Sequence, residues 1–145
     1  MTLADIEAIL PNGFHDAEIE EFVWDYRENS ASFTMQFWVP EETDENPEIY
    51  RRGRLDLSGI VFIIIDPPCP RILDPKPYKP SSGTLRIDGV QTTGSLLPNL
   101  ATLRQAVSPE VSPYSFYVDN WNSYIHIAAK EANLAWIGER EIKGK

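Results

Sequence analysis

Two histidines, one cysteine and a surplus of carboxylates are the chemical resources of this chain. His15 stands in Gly13-Phe14-His15-Asp16-Ala17-Glu18, an imidazole followed at once by one carboxylate and soon by another. His126 stands in Tyr124-Ile125-His126-Ile127-Ala128. A period of two places it with Tyr124 and Ala128 and opposite Ile125 and Ile127, so it faces outward or toward a second layer. A metal centre needs three or four ligands from His, Cys, Asp or Glu. His15, Asp16, Glu18 and His126 would meet that need only by converging in space, and there is no closely spaced histidine pair. No metal and no cofactor are therefore expected. The plainer roles are a turn-bonding residue for His15 and a satisfied sheet residue for His126.

Nucleophilic chemistry has less support. There is no Gly-x-Ser-x-Gly elbow, and Cys69 lies among prolines with no basic neighbour nearer than Arg71. The glycines are scattered and form no phosphate loop. Carboxylates are too numerous to single out an acid and a base. No catalytic residue is assigned. Trp24, Trp38, Trp121 and Trp136, with Tyr117 and Tyr124, remain as material for a cavity or an interface.

The net charge is −9, from 13 basic and 22 acidic residues. Nearly all of it originates in the first third, where Arg27 is the one base. Asp16, Glu18, Glu20 and Glu21 form one cluster. Glu41, Glu42, Asp44, Glu45 and Glu48 form another, followed by Arg51, Arg52 and Arg54. The second cluster reads either as a solvated loop neutralised by those arginines or as a docking surface for a basic partner. It lacks the turn glycine and spacing of a calcium loop. The charge argues against a nucleic-acid partner, since phosphates select basic surfaces.

Elements to hold these residues follow from periodicity. The chain has 145 residues, a length that suits one domain. Thr2-Leu3-Ala4-Asp5 is a capping box, and Leu3, Ile6, Ile9 and Leu10 follow helical spacing, so residues 1–12 hold a short helix laid on the core. Phe22, Trp24 and Tyr26 alternate with acids, Glu28-Asn29-Ser30 turns, and Phe33, Met35, Phe37 and Val39 line one face of a second strand. Trp38 falls on that strand's polar face. The next strand, through Leu55, Leu57 and on to Ile65, carries Gly59 as a bulge or bend, with Ile60 on the face of Arg54 and Asp56. Residues 66–82 form a proline-rich loop, and Leu96 to Val107 hold a short helix. Strands follow at 84–90, 115–118, 124–129 and 134–137, with Lys130 to Asn133 turning the last hairpin. The tail 139–145 is read as frayed. The fold class is α+β and β-dominated, a single domain of about seven mostly antiparallel strands with two short helices.

One cysteine allows no internal disulfide and suits a reducing compartment. The N-terminus is not a signal peptide, and the longest apolar run, Ile60 to Ile65, falls far short of the roughly 20 residues that span a bilayer. A cytoplasmic protein without membrane association is expected.

Three stretches carry a resemblance: Asn12 to Glu18, Arg52 to Gly59, and Trp121 to Ala129. Together they resemble a family of small bacterial proteins of uncharacterised function. The Phe-His-Asp-Ala-Glu opening is similar to one in some immunity proteins of polymorphic toxin systems. The resemblance implies a cytoplasmic protein that binds and neutralises a toxin and has no catalysis of its own. The leading expectation is a non-catalytic module that engages a basic protein partner through Phe14, His15, Asp16, Glu18, Trp38, Trp121 and His126. The alternatives are a small-molecule binder or enzyme with a cavity between the sheet and the proline-rich loop, and an oligomeric structural module.

Overall fold

The alternation of β2 (Ser30–Trp38) sets the pattern for the whole molecule. Ala31, Phe33, Met35 and Phe37 are buried on one face, while Ser32, Thr34, Gln36 and Trp38 lie half-exposed on the other. The structure, a computed structural model, describes residues 1–69, 83–91, 108, 111 and 113–143. Its other elements are α1 (Leu3–Ile9), β1 (Glu18–Asp25), β3 (Ile49–Ile65), β4 (Leu85–Gln91), β5 (Tyr114–Val118) and β6 (Ser123–Ile142). A single 3-10 turn, Asp119–Trp121, joins β5 to β6.

The strands close into an antiparallel barrel in the order β1-β2-β3-β6-β5-β4. Closure removes the open edges that a sheet would expose. The closing pair is short: β1 meets β4 through Glu18 opposite Arg86 and Ile19 opposite Leu85. The longest pairing is β3 with β6, from Ile49 opposite Ile142 to Ile65 opposite Ile125. Side chains fill the interior. Phe14, Phe33, Phe37, Phe116, Met35, Leu55, Leu57 and Ile127 are all fully buried. Phe14 stands among Phe116, Tyr114 and Phe37, at ring distances of 5.0, 5.8 and 6.2 Å.

The N-terminal helix forms as its caps dictate. Thr2 and Asp5 make a reciprocal capping box. Leu3, Ile6 and Leu10 are buried, whereas Ile9 is exposed. The Tyr114 hydroxyl donates to Glu7 and ties the helix to β5. Burial, then this bond to Glu7, raises the Tyr114 phenol far above its ordinary pKa.

Several expectations are corrected. Among the described residues there are six strands, not seven, and one α-helix. Lys130 to Asn133 do not turn: β6 runs straight through them because β3 is long enough to pair on both sides. Ala132 sits opposite Leu57 and is buried. Residues 139–142, expected as part of a frayed tail, are the end of β6, and 140–142 pair with the start of β3. Gly59 takes φ +60, and an added Cβ would meet Lys130 at 2.9 Å. The register slips just after it, between Ile60 and Phe62. The bend at Gly59, between buried Leu57 and buried Ile60, brings Ile60 into the core rather than onto the face of Arg54 and Asp56. The expected helix at 96–107 lies outside the described residues, as does most of the proline-rich loop 66–82.

Candidate functional site

The Phe14 to Glu18 motif forms the closing seam. Asn12 donates its side-chain amide to the His15 carbonyl at 3.0 Å, which fixes the turn. Asp16 takes φ +62, a left-handed conformation that aspartate tolerates better than most residues. Its N–H donates to the Ile87 carbonyl at 2.9 Å, and the Ile87 N–H donates to Ala17 at 2.8 Å. These two bonds extend the two-pair ladder between β1 and β4. Arg86 of β4 donates twice to Asp16 Oδ1, from Nε at 3.0 Å and from Nη2 at 2.5 Å. That hydrogen bonding holds the Arg86 guanidinium above its ordinary pKa. Asp88, also of β4, approaches Arg86 at 3.6 Å. His15 lies beside both acids, its Nε2 3.7 Å from Asp16 Oδ2 and its Nδ1 3.9 Å from Asp88 Oδ1. Glu18 accepts from Thr84 and pairs with Lys143, whose ammonium also lies 4.6 Å from the Tyr50 ring centre.

His126 belongs to a different environment. It lies on β6 directly opposite Ser115 of β5. Its Nδ1 stands 2.7 Å from Ser115 Oγ and its Nε2 3.1 Å from Asp66 Oδ2. With the carboxylate as acceptor, Nε2 carries the proton and Nδ1 accepts from the serine hydroxyl. Tyr124 stacks on the ring at 5.6 Å. Serine and histidine are buried, while Asp66 is partly exposed. Ser-His-Asp chemistry requires the reverse, a serine that substrate can reach. Here the chain of bonds ties together β5, β6 and the segment after β3. Val111, Ala128 and Phe62 form a small second apolar cluster, separate from the barrel core.

A third region lies where β2 ends and β3 begins. Between Gly53–Trp136 and Arg51–Arg140, β6 has two residues more than β3, so residues 137–139 bulge. Trp136 is 37% exposed and Ile137 51%. Trp136 meets Phe37 edge-on at 5.5 Å, with the Arg51 guanidinium 4.8 Å over its ring. Arg51 also donates to the Gly138 carbonyl at 2.8 Å and so braces the bulge. Arg140 reaches the loop between β2 and β3, donating to the Val39 carbonyl and pairing with Asp44 and Glu41. The Glu41 N–H, then Arg140, hold the Asp44 carboxyl below its usual range. Trp38 donates its indole N–H to the Pro47 carbonyl at 2.6 Å. Neutralisation therefore comes from Arg140, distant in sequence, rather than from the adjacent arginines. Arg52 pairs with Glu20, and Arg54 with Asp56. Glu42, Glu45 and Glu48 are exposed and have no ion pair among the described residues. A cleft of about 340 Å³ has a lining that includes Glu18, Glu20, Glu141, Tyr50 and Lys143.

The seven residues expected to bind a partner therefore part company. Phe14 is core and Trp121 packs partly buried against it, because each belongs to the barrel's apolar filling. His126 is sealed. Trp38 is half-buried and anchors the acidic loop. His15 and Asp16 do meet at the seam, while Glu18, the first residue of β1, turns to Thr84 and Lys143. The sequence reading missed Asp88 and Ile137 as site residues and named Trp136 only among the aromatics available for a cavity or an interface. An apolar dipeptide before Gly138 in a polar tail was the one local sign of the bulge.

No family model and no curated protein matches the chain. One solved structure is similar, the crystal structure of an uncharacterized protein from Neisseria gonorrhoeae. It is 16% identical, with a TM-score of 0.46, over 83% of this chain and 91% of that one. Among the described residues no helix is long and apolar enough to cross a membrane.

Proposed function

We propose that this barrel is a non-catalytic binding module that engages a basic protein partner, in the manner of an immunity or inhibitor protein. The observation that carries this reading is the Trp136–Ile137 bulge beside the acidic loop. Apolar side chains at the centre of a charged ring match the anatomy of energetic interface patches. Trp136 is held between Phe37 and Arg51, so little freedom is lost when a partner covers it. Glu42, Glu45 and Glu48 supply negative potential that raises the association rate of a basic surface. A basic toxin is the partner chemistry that this arrangement and the Phe14 to Glu18 motif favour together.

The test is affinity capture from a lysate of the native organism at low and high salt, read by mass spectrometry, with two variants in parallel. Ile137→Ser removes the exposed apolar centre, and the triple change of Glu42, Glu45 and Glu48 to Gln removes the charge. A basic protein held by the wild type at low salt, released at high salt and lost from both variants supports the reading. Retention that neither salt nor the variants alter would overturn it.

A further inference from the structure

We propose that His15, Asp16 and Asp88 form a divalent-metal site on the closing seam of the barrel. One donor atom from each lies within 4.8 Å of the other two. The gaps from the imidazole to the two carboxylates, 3.7 and 3.9 Å, are too long for hydrogen bonds. The gap to Asp16 is measured from Nε2 and the gap to Asp88 from Nδ1, so each pair by itself has the span of two donors sharing one ion through bonds of about 2.0–2.2 Å, and an ion held on one nitrogen draws the other carboxylate toward it. The side chains must draw together to share an ion, and His15 and Asp88 are 48% and 39% exposed, so both are free to do so. One ring nitrogen takes the ion. The second Asp88 oxygen and solvent supply further positions.

Arg86 orients one ligand of the site and lies 3.6 Å from an oxygen of another, Asp88 Oδ1, which an ion would have to draw from it. It donates to Asp16 Oδ1 from two nitrogens and leaves Oδ2 directed at His15. Fixing a ligand carboxylate through its other oxygen is how surrounding groups orient metal ligands. The backbone adds rigidity: Asp16 and Ile87 are locked across the seam, and the Arg86 N–H donates to Asn120 at 2.7 Å. The dication would face one imidazole and two carboxylates, one of which it shares with Arg86. This mixed nitrogen and oxygen set suits Zn2+ or Mn2+ better than Mg2+, which favours all-oxygen sites and keeps its water. An ion here would clamp the residues before β1 to β4, where only two residue pairs close the barrel.

The full-length protein is titrated with Zn2+, Mn2+ and Mg2+ separately, read by equilibrium dialysis and thermal unfolding. One equivalent of Zn2+ is expected to bind and to raise the melting midpoint by several degrees at large excess over Kd. Mg2+ is expected to do neither. His15→Ala and Asp88→Asn should each abolish both effects while leaving the metal-free circular dichroism unchanged. A second readout does not depend on the variants. Of the two histidine ring signals in the NMR spectrum, sub-stoichiometric Mn2+ should broaden that of His15 and spare that of His126. Failure of Zn2+ to bind at millimolar concentration overturns the assignment. So does binding that survives both substitutions, or equal broadening of the two rings.

Discussion

The two histidines stand in opposite relations to their aspartates, and the contrast separates structure from availability. His126 uses both ring nitrogens within hydrogen-bond distance and is 1% exposed. His15 is 48% exposed and has an acid on either side, each beyond bonding distance. An interior ring must have its donors and acceptors met, because a buried polar group without a partner costs roughly 1–3 kcal/mol. No side-chain nitrogen or oxygen buried among the described residues lacks a partner. At the surface water relaxes that demand, and convergent but unbonded groups remain open to a ligand. The lesson is that the same pair of residue types is a tie in one place and a receptor in the other.

Four substitutions would break or sharpen the comparison. The largest effect belongs to the neighbour of His15. Phe14→Ala should cost about 3–5 kcal/mol in denaturant unfolding, because a fully buried ring in a cluster of three aromatics leaves a cavity. A loss under about 1 kcal/mol would mean that the motif's inner side is not core.

His126→Ala comes next, at about 2–3 kcal/mol, since it strands the Ser115 hydroxyl beneath the surface. A double-mutant cycle with Ser115→Ala should show coupling, because the two residues share one bond. Additive losses would contradict the tie.

Thr2→Ala separates exposure from bonding. Thr2 and Asp5 are exposed like His15 but bonded like His126. Loss of the N-cap side chain typically costs about 1 kcal/mol at neutral pH. Hydrogen bonds from the Thr2 backbone and then its hydroxyl lower the Asp5 pKa from 3.8. A depressed folded pKa gives stability that is present above the unfolded value and lost as pH falls through the folded one. The backbone bond survives in the variant, so only the part of its deficit that comes from the lost hydroxyl bond to Asp5 should shrink below about pH 4, followed by melting from pH 7 to pH 3. A deficit that is constant across this range would remove Asp5 from the explanation.

The smallest effect is expected at His15→Ala without metal, within about 0.5 kcal/mol. A loss comparable to that of His126→Ala would show that the seam histidine is a structural tie after all.

Much of the barrel could be read locally. The buried face of β2, the capping box and the bend at Gly59 all follow from residues within a few positions of one another. The turn after β1 does too: Asp25 accepts from the Arg27 and Glu28 N–H groups, and Asn29 takes φ +50. The site was legible only in fragments. The motif from Phe14 to Glu18 marked the seam, but its spacing could not divide a core phenylalanine from an exposed histidine. The tail beyond residue 138 looked frayed because its side chains are polar, yet its backbone has β3 to pair with.

The sequence by itself determined most of the stretches that would be strand, which faces would be apolar and where the negative charge would lie. Period, caps and composition are properties of neighbouring residues, and they act before any tertiary contact forms. Only the tertiary structure decided the closure of β1 on β4, the continuity of β6, the meeting of His126 with Asp66 sixty residues away and the arrival of Asp88 beside His15. Those contacts depend on strand order and register. A shift of one residue sends every side chain to the other face, so no local pattern could have assigned them.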